Sequence, residues 1–218
     1  MIQISSLRYA SKLMKREIKT TLSVDCMGGD NSIDDIIGGV SQFCSENNND
    51  TLLLHGNKKA ITQALDKYPE IKHMCKIRHS DKVIQMGDKP SQSIRGGKNS
   101  SMWNSIESVK KSKAEAAISC GNTGSLMAIS TLVLRKLASV KRPAIAIFWP
   151  STSKKGFNVV LDAGADIKAL PTDLLVYARF GSDIFSKVFN TQEVKVGLLN
   201  VGTETHKGNE QLKKASEM

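Results

Sequence analysis

Ser119-Cys120-Gly121-Asn122-Thr123-Gly124-Ser125 decides how this chain is read. A β-prone run, Ala116–Ser119, precedes it, and an apolar run predicted as a helix over Leu126–Leu137 follows it. A strand that turns through Gly-Asn-Thr-Gly into a helix presents unpaired backbone N–H groups at the dipole-positive helix end. Asn122 and Thr123 add side-chain donors. This pattern suits phosphate or a developing oxyanion. A capped helix in a tight turn also accounts for Thr123 and the glycines, but it leaves Asn122 without a task.

On either side the same alternation repeats. Strands are predicted at Thr21–Asp25, Thr51–His55, Lys76–His79, Glu115–Cys120, Ala144–Trp149, Asn158–Asp162 and Lys195–Val201. Between several of them run stripes of helical period. One is Ile33, Ile36, Ile37, Val40, Phe43 and Cys44; another is Leu174, Leu175, Ala178, Phe185, Val188 and Phe189. Strands alternating with helices imply an α/β fold, a largely parallel sheet with helices on both faces. Ligands of such sheets sit at the carboxyl ends of the strands, so chemistry is sought in the residues that follow each strand.

Three more post-strand segments carry suitable side chains. Asp25-Cys26-Met27-Gly28-Gly29-Asp30 has two glycines that let the backbone approach a ligand or adopt positive φ. Asp30 or Asn31 is placed to cap the next helix. The run from Asp88-Lys89-Pro90 through Arg95-Gly96-Gly97-Lys98 to Asn99-Ser100-Ser101-Met102 reads as a loop that opens a helix with a Met102, Trp103, Ile106, Val109 stripe. Arg95 can grip phosphate with two parallel hydrogen bonds and Lys98 adds a point charge. A solvated basic loop accounts for this segment equally well, and the glycine spacing is not that of a P-loop. Asn200 to Glu210, with Lys207, is the last, and its bland reading is a surface loop.

Composition narrows the classes. The chain has 218 residues, 40% hydrophobic and 24% charged, which allows one large α/β domain or two small ones. Its longest apolar stretch, Leu126–Leu134, falls far short of the ~20 residues of a membrane span. Net charge is +10, but the cations are scattered and aromatics are only 5%, so no nucleic-acid partner is expected. A basic surface of this kind attracts anionic substrates, acidic proteins or anionic lipid. Cys26, Cys44, Cys75 and Cys120 show no CxxC spacing and imply neither zinc nor a redox pair. No GxSxG, HExxH or GxGxxG motif occurs at a fitting place, and His55 and His79 end strands as structural residues. Residues 1–20, with Arg8, Lys12, Lys15, Arg16 and Lys19, are read as a basic, disordered extension with Met14 as the preferred true start.

Together these segments resemble the PlsX family of acyl-ACP:phosphate acyltransferases. To the runs already quoted are added Arg142-Pro143-Ala144, Leu161-Asp162-Ala163-Gly164-Ala165, Val196-Gly197-Leu198-Leu199-Asn200-Val201-Gly202 and Lys207-Gly208-Asn209-Glu210. Each is weak alone; in the same order over about residues 21–213 they form a specific match. The resemblance implies a fold like that of phosphotransacetylase and isopropylmalate dehydrogenase. It implies transfer of a fatty acyl group from acyl carrier protein to inorganic phosphate for phospholipid synthesis, by a cytoplasmic homodimer peripheral to the inner face of the cell membrane. A downstream glycerol-3-phosphate acyltransferase is the implied consumer. No cofactor or metal is implied.

The expected site follows. Lys98 and Asn122 are the catalytic candidates. Asp25, Gly28, Gly29, Asp30, Arg95, Ser100, Ser101, Gly121, Thr123, Gly124, Ser125 and Lys207 are the candidates for binding phosphate or acyl-ACP. Two departures from the family are noted: Asp166 where neutral Asn is usual, an unfavourable extra carboxylate near phosphate, and Cys120 where Ala is usual. Family members continue well beyond Met218, so residues 21–218 are read as one α/β domain incomplete at its C-terminus. The alternative is an inactive remnant or interaction protein that keeps the start of the fold. An NAD-dependent decarboxylating dehydrogenase would need a metal-binding Asp cluster that the sequence does not show.

Overall fold

The computed structural model describes residues 19–137, 140–166, 168–202 and 207–218. The proposed extension over 1–20 lies outside them except for its last two residues. The described residues divide into two compact units, 19–135 and 136–218. Arg135-Lys136-Leu137 carries no glycine or proline to mark that boundary.

The first unit alternates strand and helix. Its elements are β1 (Thr21–Asp25), α1 (Ile33–Glu46), β2 (Thr51–Gly56), α2 (Lys58–Leu65), a 3-10 turn (Pro69–Met74), β3 (Cys75–His79), α3 (Pro90–Gly96), α4 (Ser101–Lys110), β4 (Ala116–Ser119) and α5 (Thr123–Leu134). The four strands form one parallel sheet in the order β3-β2-β1-β4. Two apolar clusters flank it. Val24, Leu52 and Leu54 pack with Ile37, Val40 and Cys44 of α1 and Ile61 of α2. The second cluster joins Met102 and Ile106 of α4 to Ile129 and Val133 of α5, with Ala117 of β4 against it. Alternate side chains of a strand face opposite sides, so Val24 and its neighbours Ser23 and Asp25 serve different layers.

Local signals differ in detail from the expected ones. Ser32, not Asp30 or Asn31, caps α1: its Oγ accepts from the Asp35 amide at 3.2 Å and Asp35 returns a carboxylate to the Ser32 amide at 3.0 Å. Part of the segment predicted as a loop before α4 is the short helix α3, started by Pro90 at its first turn. Helix α5 begins at Thr123 rather than Leu126.

The second unit holds β5 (Ile147–Pro150), β6 (Phe157–Val160), α6 (Pro171–Phe189) and α7 (Glu210–Glu217). The sequence placed β5 and β6 in the parallel sheet; they pair with each other, antiparallel, as a hairpin. The turn is short, with Gly156 at φ +79° and the Ser151 amide bonded to its carbonyl at 2.9 Å. A six-residue connection permits antiparallel pairing and is too short for a parallel crossover. The predicted strand Lys195–Val201 is not a strand. Val196, Leu199 and Val201 stand exposed there, because a β-prone run forms a ladder only where a neighbour supplies hydrogen bonds.

Asp166 has its own local role. Arg142 Nη1 lies 2.6 Å from its Oδ1, the Tyr177 hydroxyl donates to Oδ2 at 3.2 Å, and the Lys168 amide donates to Oδ1 at 3.1 Å. Burial alone would raise this carboxyl; the three partners outweigh it and hold it below the ordinary value. Its charge is therefore compensated by Arg142 within this unit, and Tyr177, buried beside a carboxylate, is pushed up to about 12.

At the carboxyl edge of the sheet the register sets Arg78, His55, Asp25 and Ser119 side by side across four strands. His55 is buried against α4. Ser108 gives its hydroxyl proton to the Asn104 carbonyl at 3.0 Å and receives His55 Nε2–H at 3.2 Å. Burial, aided by Arg78 and opposed by Asp25, lowers His55 to about 4. The ring folds neutral, so its contribution is complete above the unfolded value of ~6.5 and is lost as pH falls toward 4. At pH 4.5 the expected loss is on the order of 2–3 kcal/mol relative to pH 7.5. Urea unfolding of wild type and His55→Gln at both pH values checks this: the wild type loses more stability on acidification than the variant does, and equal losses contradict it.

Candidate functional site

In the order β3-β2-β1-β4 the chain runs outward from β1 through β2 to β3, then returns to add β4 on the other side of β1. The crevice of a parallel sheet opens where its order reverses, here beyond the ends of β1 and β4. Those ends are tied together. Asp25, 1% exposed, accepts from Ser119 Oγ at 2.7 Å and from the Met27 amide at 3.2 Å. Ser119 Oγ in turn accepts from the Gly121 amide at 3.1 Å.

Above this carboxylate the two loops touch backbone to backbone. A Cβ at Gly28 would collide with the Asp25 carboxylate and lie 3.1 Å from Gly121 Cα. A Cβ at Gly29, where φ is +98°, would collide with the Cys120 carbonyl. Neither position admits a side chain, so both glycines are needed for the approach itself.

Asn122 caps α5. Its Oδ1 accepts from the Ser125 amide at 2.9 Å, and its Nδ2 donates to the carbonyls of Met86 at 2.7 Å and Asp88 at 2.9 Å. This is the task that the sequence left open: the side chain caps the helix and fixes the turn leading into α3. Its amide hydrogens are engaged and do not point at a ligand. The Ser125 amide is taken by Asn122 Oδ1 and the Leu126 amide by the Asn122 carbonyl at 2.9 Å. The Thr123 and Gly124 amides have no acceptor among the described residues, and they stand at the positive end of a 12-residue helix. Two amides and a helix dipole fit an anion.

Helix α3 lies against this end. Pro90 Cγ is 3.0 Å from where a Gly124 Cβ would be, and Ser93 Oγ is 2.7 Å from Ser125 Oγ in the buried contact between the helices. That places Lys89 beside the first turn of α5. Arg95 follows Ser93 by two residues, roughly 200° around the helix, on the face turned from α5. Arg95 and Lys98 are exposed and form no ion pair among the described residues. Both are candidates for the phosphate that the Gly121–Ser125 turn suits, and no hydrogen bond joins either to that turn among the described residues.

A model of the family described as "Fatty acid synthesis protein" matches residues 20–218. The chain belongs to this family. It is 46% identical over 197 residues to a protein named phosphate acyltransferase from Paracoccus denitrificans (strain Pd 1222), covering 90% of this chain and 53% of that protein. It is 45% identical over 200 residues to one of the same name from Cereibacter sphaeroides (strain ATCC 17025 / ATH 2.4.3), covering 92% and 54%. The chain thus spans about half the length of these relatives. The fold is similar to that of EutD phosphotransacetylase from Staphylococcus aureus, with a TM-score of 0.67 at 15% identity, and to a phosphotransacetylase from Streptococcus pyogenes, with 0.69 at 13%. Each match covers 98% of this chain and 67% of the other.

In this member of the fatty acid synthesis protein family, the structure gathers Asp25, Gly28, Gly29, Gly121, Asn122, Thr123, Gly124 and Ser125 at one place. Asp30 is exposed beyond that loop. Ser100, fully buried, caps α4 by accepting from the Trp103 amide at 3.1 Å, and Ser101, 1% exposed, keeps its Oγ without a partner among the described residues. Both lie inside the unit rather than at its surface. Lys207 belongs to the second unit, and residues 203–206 beside it lie outside the described ones. Sequence reasoning missed Ser119 and gave Lys89 no separate role. The signal for Ser119 was the in-register pairing of two strand ends, which no local motif announces. The signal for Lys89 was Pro90, which starts a helix rather than continuing a loop.

Asn122→Ala removes a cap and two further hydrogen bonds, so it should destabilise the protein by about 2 kcal/mol. Asn122→Asp keeps the capping oxygen and loses the two donors, and should cost about half as much. Urea denaturation of the two variants distinguishes this account from one in which Asn122 only faces a ligand, where both would be near neutral.

Proposed function

We propose that this chain carries the phosphate-binding half of a phosphate acyltransferase, which moves a fatty acyl group from acyl carrier protein to inorganic phosphate. The observation that carries the reading is the pair of open amides, Thr123 and Gly124, at the first turn of α5 over the joined ends of β1 and β4. The name shared by relatives at 45–46% identity supports the acyl transfer. The carrier-protein donor and the place in phospholipid synthesis rest on the motif resemblance.

Phosphate sits on the Thr123 and Gly124 amides, within the turn shaped by Gly121 and Asn122, with Lys89 as the adjacent cation. Gly28 and Gly29 let the β1 loop close against that turn. Asp25 positions both loops without touching it. A phosphate oxygen attacks the thioester carbonyl carbon; the carbon–sulfur bond breaks, acyl phosphate forms, and the carrier thiol leaves with the proton that phosphate gave up. Phosphate is already a nucleophile near neutral pH, so holding the reactants together supplies much of the rate. Amides aimed at the new negative charge supply more. Arg95, exposed near the end of α3, and Lys98, exposed on the connection to α4, act at longer range on an acidic carrier and on phosphate. Dimer formation and work at the inner face of a membrane belong to the same proposal; no helix among the described residues is long and apolar enough to cross a membrane.

Phosphate-dependent release of acyl carrier protein from acyl-ACP tests the activity, and phosphate titration tests the site. Lys89→Ala should weaken phosphate binding about tenfold, as expected for one charge-assisted contact. Arg95→Ala should weaken it less. If Arg95→Ala has the larger effect and Lys89→Ala none, phosphate does not sit at the first turn of α5.

A further inference from the structure

The β3 edge of the sheet is more basic than its folding requires. No strand lies on its far side among the described residues. Cys75 and Ile77 pack against the α1–α2 cluster. Lys76 and Arg78 alternate with them onto the opposite face, and both are exposed. Charge on an open edge blunts it against further strand pairing. That purpose ends with the strand, and the charge does not. The chain leaving β3 runs beside the start of α4. Ser80 Oγ donates to the Asn99 carbonyl at 2.6 Å, Lys82 forms a parallel bridge with Ser100, and the Lys82 carbonyl accepts from the Ser101 amide at 3.0 Å. Exposed Lys82 is thereby brought beside the segment that carries exposed Lys98, with Arg95 just before it at the end of α3.

These cations are also unmatched. Lys67 faces Asp34, Lys72 faces Asp66 and Lys111 faces Glu107, whereas Lys76, Arg78, Lys82, Arg95 and Lys98 form no ion pair among the described residues. From Lys76 to Gly87 the only carboxylate is Asp81, and it lies 3.1 Å from His79 Nε2. A continuous strip of one sign, left uncompensated, draws and orients a partner of the opposite sign.

We propose that this strip, from Lys76 and Arg78 on β3 through Lys82 to Lys98 and Arg95, is the docking surface for an acidic helix of the carrier protein. The inference rests on the proposed acyl transfer, whose donor is that carrier. The spacing fits a helix. Residues two apart on a strand are separated by roughly 6.7 Å, and residues four apart on a helix by roughly 6 Å. Carboxylates one turn apart therefore fall in step with Lys76 and Arg78. A bilayer surface draws Trp and Tyr to its headgroup level, and residues 75–99 contain no Phe, Tyr or Trp. The far end of the strip is α3, whose first residues lead to Lys89 and the first turn of α5.

The test is titration of the isotope-labelled 218-residue protein with acyl carrier protein bearing a fatty acyl chain, followed through backbone amide shifts. Saturable shifts concentrated on 75–82 and 95–99 are expected, with an affinity that falls as salt rises. Lys76→Glu together with Arg78→Glu should weaken carrier binding roughly tenfold or more and alter phosphate affinity less than about twofold. Lys58→Glu together with Lys59→Glu, an equal change of charge at the start of α2, should alter carrier binding less than about twofold. Shifts in the unsubstituted protein locate the surface without any variant, so a misfolded variant does not shelter the proposal. It is overturned if the carrier does not bind, if its shifts leave 75–82 unmoved, or if the two double variants weaken it equally. It is also overturned if phosphatidylglycerol vesicles move 75–82 and the carrier does not, which assigns the strip to anionic lipid. Phosphate shifts at Thr123 and Gly124 without carrier binding remove this surface alone; carrier binding without those shifts removes the phosphate site alone.

Discussion

The hydrogen bond from Ser119 to the buried carboxylate of Asp25 is the constraint on which the rest of the site depends. It joins the ends of two strands that are far apart in sequence and adjacent only because the sheet order reverses at β1. Ser119 also takes the Gly121 amide, so the same hydroxyl sets the direction in which the chain leaves β4. Gly28 and Gly29 must then be glycines, because the β1 loop passes directly under Cys120 and Gly121. The first turn of α5 inherits its position from that contact, and its open amides inherit their aim.

A second layer of hydrogen bonds makes the site rigid. Asn122 ties α5 to the turn before α3, and the Ser93–Ser125 contact closes the seam between the two helices. The Ser93–Ser125 contact is buried and paired, the condition under which buried polar groups specify one arrangement, and the Asn122 bonds join it from the half-exposed side. At the proposed anion site the donors of α5 are therefore already in place, which would favour binding over induced rearrangement.

Much of this was legible in the sequence, and the reasons are local. Strand-helix alternation showed in the stripes of α1 and in the β-prone runs, and the Ser119–Ser125 turn announced itself through its glycines. What was not legible depended on partners far along the chain. Asn122 looked free because the carbonyls it holds lie 34 and 36 residues away. Arg95 was read as part of a loop, and only the turn of α3 shows that Arg95 and Ser93 face different ways. Asp166 looked like an unwanted charge because Arg142, its counterion, is 24 residues upstream. Lys195–Val201 has strand composition, but composition cannot supply the neighbouring strand.

The central claim is that the turn between β4 and α5, shaped by the β1 loop pressed against it, is an anion site. Amide chemical shifts during a titration with inorganic phosphate read this directly. The account predicts saturable shifts concentrated on Thr123 and Gly124, with smaller ones at Gly28, Gly29 and Gly121, and no comparable change along the β3 edge. Shifts confined to exposed lysines and arginines, with Thr123 and Gly124 unmoved at saturating phosphate, would contradict it.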